Sequence, residues 1–234
     1  MGVSRIAPIR RIEARVEDWH WAWSSDNAQA IAQYWDQLSA GNEHVYDGTV
    51  LLMHHGAVEG DIYKSCYFQA RYSHFMALRD WGHPDKSVRN GFSCAALKTL
   101  DEAYLLGVMA AHTSNAGKIY FPAGTPDLSD CRGAYVDLTG SAARELLEET
   151  GFGPPDMCFE DRITLVEEDL RVAFLCHAKM TCTAQTALDR FAQWQAQQRQ
   201  PELSALHVVR TKADLIPERM HPYLLDWFET VLPV

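Results

Sequence analysis

The sequence predicts an α/β protein in two parts, a smaller strand-and-helix unit over 1–88 and a larger one over 89–234. Short runs that alternate every second residue are interleaved with runs of helical period, and Gly/Pro clusters separate them. The segment GHPDKSVRNG at 82–91 interrupts all periodicity with Gly82, Pro84, Gly91 and a cluster of charges, and it marks the boundary. The chain has 234 residues, about 1.6 times a typical domain of roughly 150, which allows one domain with a smaller companion. With 47% apolar and 22% charged residues and ordinary Gly and Pro usage, disorder, collagen and coiled coil are excluded.

Residues 12–23, IEARVEDWHWAW, alternate apolar and polar side chains and predict a half-buried strand. Trp19, Trp21 and Trp23 then form one packed face of a sheet rather than a platform for a nucleobase. Ser25 or Asp26 caps a helix through DNAQAIAQYWDQL, in which Ala28, Ile31, Ala32, Trp35 and Leu38 share a face, and Gly41 ends it. A turn and strand follow at 47–55, and a short helix at 72–82 closes on Gly82. Beyond the boundary, FSCAALKTL and AYLLGVMAAH are strands, 114–117 is a turn, and KIYFPAGTPD is a short strand entering a Pro/Gly loop. The next helix, over 139–150, stops at Gly151, where a left-handed residue is easiest for glycine. RITLVEEDLRVAFLCHAKM forms a hairpin with EED at its turn. ALDRFAQWQAQQR is an amphipathic helix, LHVVRT a short strand and HPYLLDWFETVL the closing helix.

The longest nearly uninterrupted apolar stretch, 104–111, is far short of the ~20 residues of a membrane-spanning helix. Arg5, Arg10, Arg11 and Arg15 have no apolar segment behind them, so no membrane, export or lipid address is expected. A net charge of −10 disfavours attraction to long nucleic acid. The six cysteines, Cys66, Cys94, Cys131, Cys158, Cys176 and Cys182, are scattered without a C-x-x-C pair, which points to reduced thiols in a cytoplasmic protein.

Chemistry concentrates in Arg144, Glu145, Leu146, Leu147, Glu148, Glu149, Thr150, Gly151 and Phe152. On a helix, Glu145, Glu148 and Glu149 stand at i, i+3 and i+4 and project from one face. Three like charges on one stripe repel unless cations neutralise them, and a hard divalent ion with oxygen ligands is the natural partner. Arg144 lies one turn before Glu148, within reach to hold a carboxylate in one rotamer. In isolation such a run is also an ordinary solvated acidic face.

The complete string matches R-E-U-x-E-E-x-G-U, with U apolar, and so resembles the signature helix of the Nudix hydrolases. At about 6% usage per residue type, five fixed and two apolar letters arise by chance in such a chain with a probability on the order of 10⁻⁵. FPAG at 121–124 is similar to the strand-to-loop element that precedes that helix in the family. The resemblance implies a Nudix-type α/β/α sandwich with a mixed sheet over 89–234. The upstream half departs from the pattern: the family places Gly and Glu where this chain has Asp130 and Val136, and the loop from Gly124 to Arg144 is longer than usual. An insertion within TPDLSDCRGAYVDLTG accounts for this, with Asp137 taking the place of the missing Glu as partner of Arg144.

Carried over residue by residue, the resemblance implies that Glu145, Glu148 and Glu149 bind Mg²⁺ or Mn²⁺ with the carbonyl of Ala123, and that Glu145, Glu148 and Arg144 serve catalysis. A further carboxylate is expected from Glu202, ahead of Glu167 and Glu168, which belong to the hairpin turn; His112 and His207 are candidates to touch phosphate but stand as packing or surface residues. The implied activity is that of a pyrophosphatase. It cleaves the phosphoanhydride bond of a small-molecule nucleoside diphosphate derivative, with a UDP-sugar-cleaving branch the nearest analogy for the long loop and N-terminal unit. No G-x-S-x-G elbow, P-loop or G-x-G-x-x-G fingerprint competes. The alternative class is a Nudix-like module that senses a nucleotide without cleaving it, and a homodimer is the assembly left to test. Residues 125–138, with Tyr67, Phe68 or Trp81, are expected either to enclose the non-phosphate part of the ligand or to cover a sheet edge.

Overall fold

The computed structural model describes residues 4–40 and 46–233. They form a mixed α/β protein with two mixed sheets and six helices. The strands are β1 (Arg5–Ile9), β2 (Arg11–Val16), β3 (Thr49–Glu59), β4 (Ile62–Arg71), β5 (Asn90–Lys98) and β6 (Tyr104–Met109). They continue as β7 (Ile119–Tyr120), β8 (Cys131–Arg132), β9 (Tyr135–Val136), β10 (Met157–Glu167), β11 (Arg171–Met180) and β12 (Leu203–Val209). The helices are α1 (Ala22–Asp26), α2 (Ala28–Ser39), α3 (Tyr72–Asp80), α4 (Leu138–Thr150), α5 (Ala184–Gln195) and α6 (Pro222–Val231).

The larger sheet runs β1-β10-β11-β5-β6-β12, with β7 beside β6; its one parallel pair is β11 with β5. The smaller sheet runs β3-β4-β2-β9-β8, with β2 and β4 parallel. Strands from the two sides of the 82–91 segment pair in both sheets: β1 with β10, and β9 with β2. Burial explains the layers. Val172, Phe174 and Cys176 of β11 pack with Leu51, Tyr63 and Tyr67 of the smaller sheet and with Leu138 and Ala142 of α4. The intervening residues of β11, Ala173 and Leu175, face a cluster that holds Tyr223, Trp227 and Phe228 of α6. The larger sheet is therefore covered by α4 and the smaller sheet on one face and by α6 on the other.

Three local expectations are corrected. The predicted strand over 12–23 ends at Val16, and Trp23 lies on α1. The Trp row packs, but not as a sheet face: Trp21 is buried beside Phe68, Phe75 and Leu78, its indole N–H donates to Asp85 at 2.8 Å, and Trp23 stacks on it. Alternation is shared by strands and by any extended chain whose bulky rings turn to one side, so periodicity does not separate them. The cap also differs: Ser25 and Asp26 belong to α1, and Asn27 precedes α2. Gly41 lies outside the described residues. β4 falls in a stretch without a clear sequence signal and hairpins with β3. No helix among the described residues is long and apolar enough to cross a membrane. All six cysteines are free.

Candidate active site

Helix α4 is defined by its two ends. Asp137 caps it, its Oδ1 accepting from the Gly140 N–H at 2.9 Å. Gly151 closes it in the left-handed conformation at φ 73°, and a Cβ there would meet the Trp194 ring at 2.3 Å, so glycine is required on both counts. Leu138, Ala142 and Leu146 face the core, whereas Leu147 is exposed. This sets the rotation of the acidic stripe. Glu149 is buried at 4% exposure, Glu145 is largely covered, and Glu148 is exposed.

The carboxylates crowd together. The Glu145 carboxylate lies against Gly124, where a Cβ would stand 2.2 Å from Oε1, so the FPAG loop is open to it only because residue 124 is glycine. The Ala123 amide hydrogen-bonds to Glu149. Burial lifts Glu145 from an ordinary 4.5 to about 7; Arg144 opposes the shift, and Glu148, Glu202 and Asp130 add to it. Burial also drives Glu149 well above the usual carboxylate range, with Glu145 and Glu202 reinforcing it. Glu202, exposed in the loop ahead of β12, lines the same cavity as Ala123 and Gly124, near enough for its charge to act on Glu145 and Glu149. Glu167 instead accepts from Tyr63 and Arg89, and Glu168 pairs with Arg171. His207 Nε2 is engaged by the Asp214 carbonyl at 2.7 Å.

Arg144 has a partner the sequence did not disclose. Its Nη2 reaches both Asp130 oxygens at 3.1 Å and its Nε reaches Oδ1 at 3.2 Å, while Nη1 holds Glu148 at 2.9 Å and Nη2 also contacts Glu145 at 3.0 Å. Asp130, 2% exposed, ends a 3-10 turn (Leu128–Asp130) and takes the place expected of Asp137. Asp137 is spent on the helix cap. A carboxylate held by an arginine can come from any backbone position that reaches it, so spacing along the chain could not single out Asp130.

A cavity of about 270 Å³ opens beside this cluster. Ala123, Gly124 and Glu202 border it, and Tyr72, Phe92, Tyr120 and Tyr223 wall it. Arg79 and Arg171 add positive charge, and Asn90 lines it with a buried Oδ1 that has no hydrogen-bond partner among the described residues. A wider cavity of about 640 Å³ adjoins through Val50, Tyr72, Thr125 and Glu202, and includes His112. The aromatics singled out in the sequence lie elsewhere. Tyr67 and Phe68 are buried in the core, and Trp81 packs on Trp23 and Tyr34. Of residues 125–138, Thr125 and Asp127 reach these two cavities. The β8–β9 hairpin instead extends the edge of the smaller sheet at β2.

The site fits a divalent cation on the evidence of its own atoms: Glu149 Oε2 is buried, and nothing among the described residues hydrogen-bonds to it. A buried carboxylate oxygen without a donor is costly unless a cation completes it. No protein-family model matches this chain, and no curated protein matches it. Among solved structures it is similar to a Nudix hydrolase from M. smegmatis, RenU, at 12% identity, over 60% of this chain and 81% of that one, with a TM-score of 0.37. A likeness of that size bears on neither the fold nor the activity.

Proposed function

We propose that this chain is a Nudix-type pyrophosphatase that hydrolyses the phosphoanhydride bond of a nucleoside diphosphate linked to another moiety, a nucleotide sugar being the class to test first. The observation that carries this is the buried Glu149, whose Oε2 has no hydrogen-bond partner among the described residues, together with Glu145 set against Gly124, a residue that lines a cavity holding arginines and aromatic rings. Glu145, Glu149 and Glu202 would hold Mg²⁺ or Mn²⁺, with Glu148 and the carbonyl of Ala123 as further oxygen donors. Such a cation, when bound, neutralises the diphosphate and acidifies a water. Arg144 orients Glu148 and Glu145, and Asp130 in turn fixes Arg144. One of Glu145 and Glu148 takes the proton of the attacking water, and Arg144, in contact with both, sets their orientation. Arg79 and Arg171 attract the anionic part of the ligand, the rings cover its planar or sugar part, and Asn90 Oδ1 accepts one hydrogen bond from it.

The direct test is a panel of nucleoside diphosphate derivatives assayed with Mg²⁺ or Mn²⁺, the product phosphomonoesters being read out with a coupled phosphatase. Metal-dependent release from at least one member is expected, and abolished by chelation; tight binding of a nucleotide without release would identify a sensor instead. Gly124→Ala supplies a second expectation. The added Cβ, 2.2 Å from Glu145 Oε1, displaces the end of a flexible side chain and leaves the backbone untouched. Thermal stability should therefore change little, while kcat/KM falls by about 10- to 100-fold, the penalty of misplacing a reacting group by about 1 Å. Unchanged kcat/KM would remove Glu145 from the site.

A further inference from the structure

On the smaller sheet, away from the carboxylate cluster, three side chains of different chemistry meet. Glu17, just past β2, His54 on β3 and Cys66 on β4 each offer one ligand atom, and these atoms all lie within 4.8 Å of one another. His54 Nε2 stands 2.8 Å from Glu17 Oε1, with the imidazole 11% and the carboxylate 47% exposed. That separation is short, yet Nε2 is buried and makes no hydrogen bond among the described residues, while the Cys66 thiol is hydrogen-bonded to Glu17.

The backbone brings these groups together on purpose-built features. Pairing of β3 with β4 is regular up to Met53 opposite Tyr67 and resumes with His55 opposite Cys66, so His54 is the extra residue of a β-bulge. A bulge re-aims a side chain that regular pairing would direct elsewhere. The imidazole is then fixed between rings, stacked on Trp19 at 4.6 Å and 8° and edge-on to Phe68 at 6.0 Å. Glu17 is tied to the strand of Cys66 by its N–H, which donates to the Tyr67 carbonyl at 2.9 Å.

We propose that Glu17, His54 and Cys66 form a second metal site, for a borderline divalent cation with Zn²⁺ foremost. A thiolate, an imidazole and a carboxylate are the three donor types that Zn²⁺ accepts, whereas Mg²⁺ and Mn²⁺ favour oxygen. Charge also balances. A thiolate and a carboxylate with a neutral imidazole exactly offset a 2+ ion, so the loaded centre is neutral and inexpensive to hold half-buried. Three protein ligands, one of them nearly half exposed, leave the fourth tetrahedral position to solvent or a ligand. The site is independent of the pyrophosphatase proposal, because it shares no residue with the carboxylate cluster.

The test loads the metal-stripped full chain with Co²⁺ alone, a spectroscopic stand-in for Zn²⁺. One equivalent should produce a thiolate-to-cobalt charge-transfer band that Zn²⁺ displaces. Cys66→Ser should abolish the band, and His54→Gln should weaken Co²⁺ affinity at least tenfold. Glu149→Gln should leave it unchanged, since the carboxylate site has no sulfur donor. Glu17→Gln, at an exposed side chain, supplies an arm that does not depend on refolding a core variant: Zn²⁺ should raise the Tm of wild type clearly more than that of this variant. A wild-type protein without the band, or a band that survives in Cys66→Ser, would overturn the proposal. So would an equal Zn²⁺-induced Tm rise in wild type and Glu17→Gln.

Discussion

If the chain is the proposed pyrophosphatase, Glu149→Gln is expected to lower turnover by about two to four orders of magnitude, the several kcal/mol that a metal site supplies, at about 1.36 kcal/mol per tenfold. The same substitution raises the Tm of the metal-free protein by about 2–4 °C for each kcal/mol of relieved repulsion. The two effects share one cause. Glu149 is 4% exposed, its Oε2 has no hydrogen-bond partner among the described residues, and burial with Glu145 and Glu202 pushes its pKa well above that of a free carboxyl. A raised acid pKa means that the folded state holds protons the unfolded state has released. Metal-free stability therefore falls as pH rises from about 4.5 through the value near 7 of Glu145 and beyond. The variant should flatten that decline. Melting curves in chelator from pH 4.5 to 8, set beside steady-state turnover with Mg²⁺, measure both. Turnover within a factor of two of wild type would remove Glu149 from the site, and a lower Tm in chelator would contradict its burial as an uncompensated charge.

Asp130→Asn has the second large effect, and on both observables in the same direction. Asp130 is 2% exposed and receives three hydrogen bonds from Arg144. Its amide replacement keeps the shape and removes the charge, leaving a guanidinium that is one-third exposed with Glu145 and Glu148 as its remaining partners. Breaking a fully buried pair costs about 3–5 kcal/mol; those remaining partners reduce this to about 2 kcal/mol, or a Tm lower by about 4–8 °C. Arg144 then draws toward the two glutamates it should orient, and kcat falls by about 10- to 100-fold with KM less affected. Asp130→Glu, which keeps the charge, should recover part of kcat, whereas a merely structural role would leave kcat of the folded fraction at the wild-type value in both variants. The Asp137→Asn variant is the contrast, because an amide oxygen still caps α4 and Arg144 is untouched.

Helix α4 was legible in the sequence because everything that forms it is local. Gly151 stops it, apolar positions recur at helical spacing, and the i, i+3, i+4 placement of Glu145, Glu148 and Glu149 on one stripe is a property of any α-helix, although Asp137, expected beside Arg144, is its cap. The β10–β11 hairpin was legible for the same reason, as were β5 and β6. The Trp row misled because alternation reports that side chains segregate, not that the backbone pairs.

Composition, charge and local period thus determined the α/β class, the acidic stripe and the need for something positive against it. Rotation of α4 on the sheet decided the rest: it buries Glu149, leaves Glu148 in solvent and turns Glu145 onto Gly124, although the three are equivalent by spacing. The choice of Asp130 over Asp137, the approach of Glu202, and the meeting of Glu17, His54 and Cys66 across a bulge are likewise matters of tertiary structure. Torsional preferences act within a few residues, whereas these contacts join positions set by strand register and by which faces pack, and register depends on partners far along the chain.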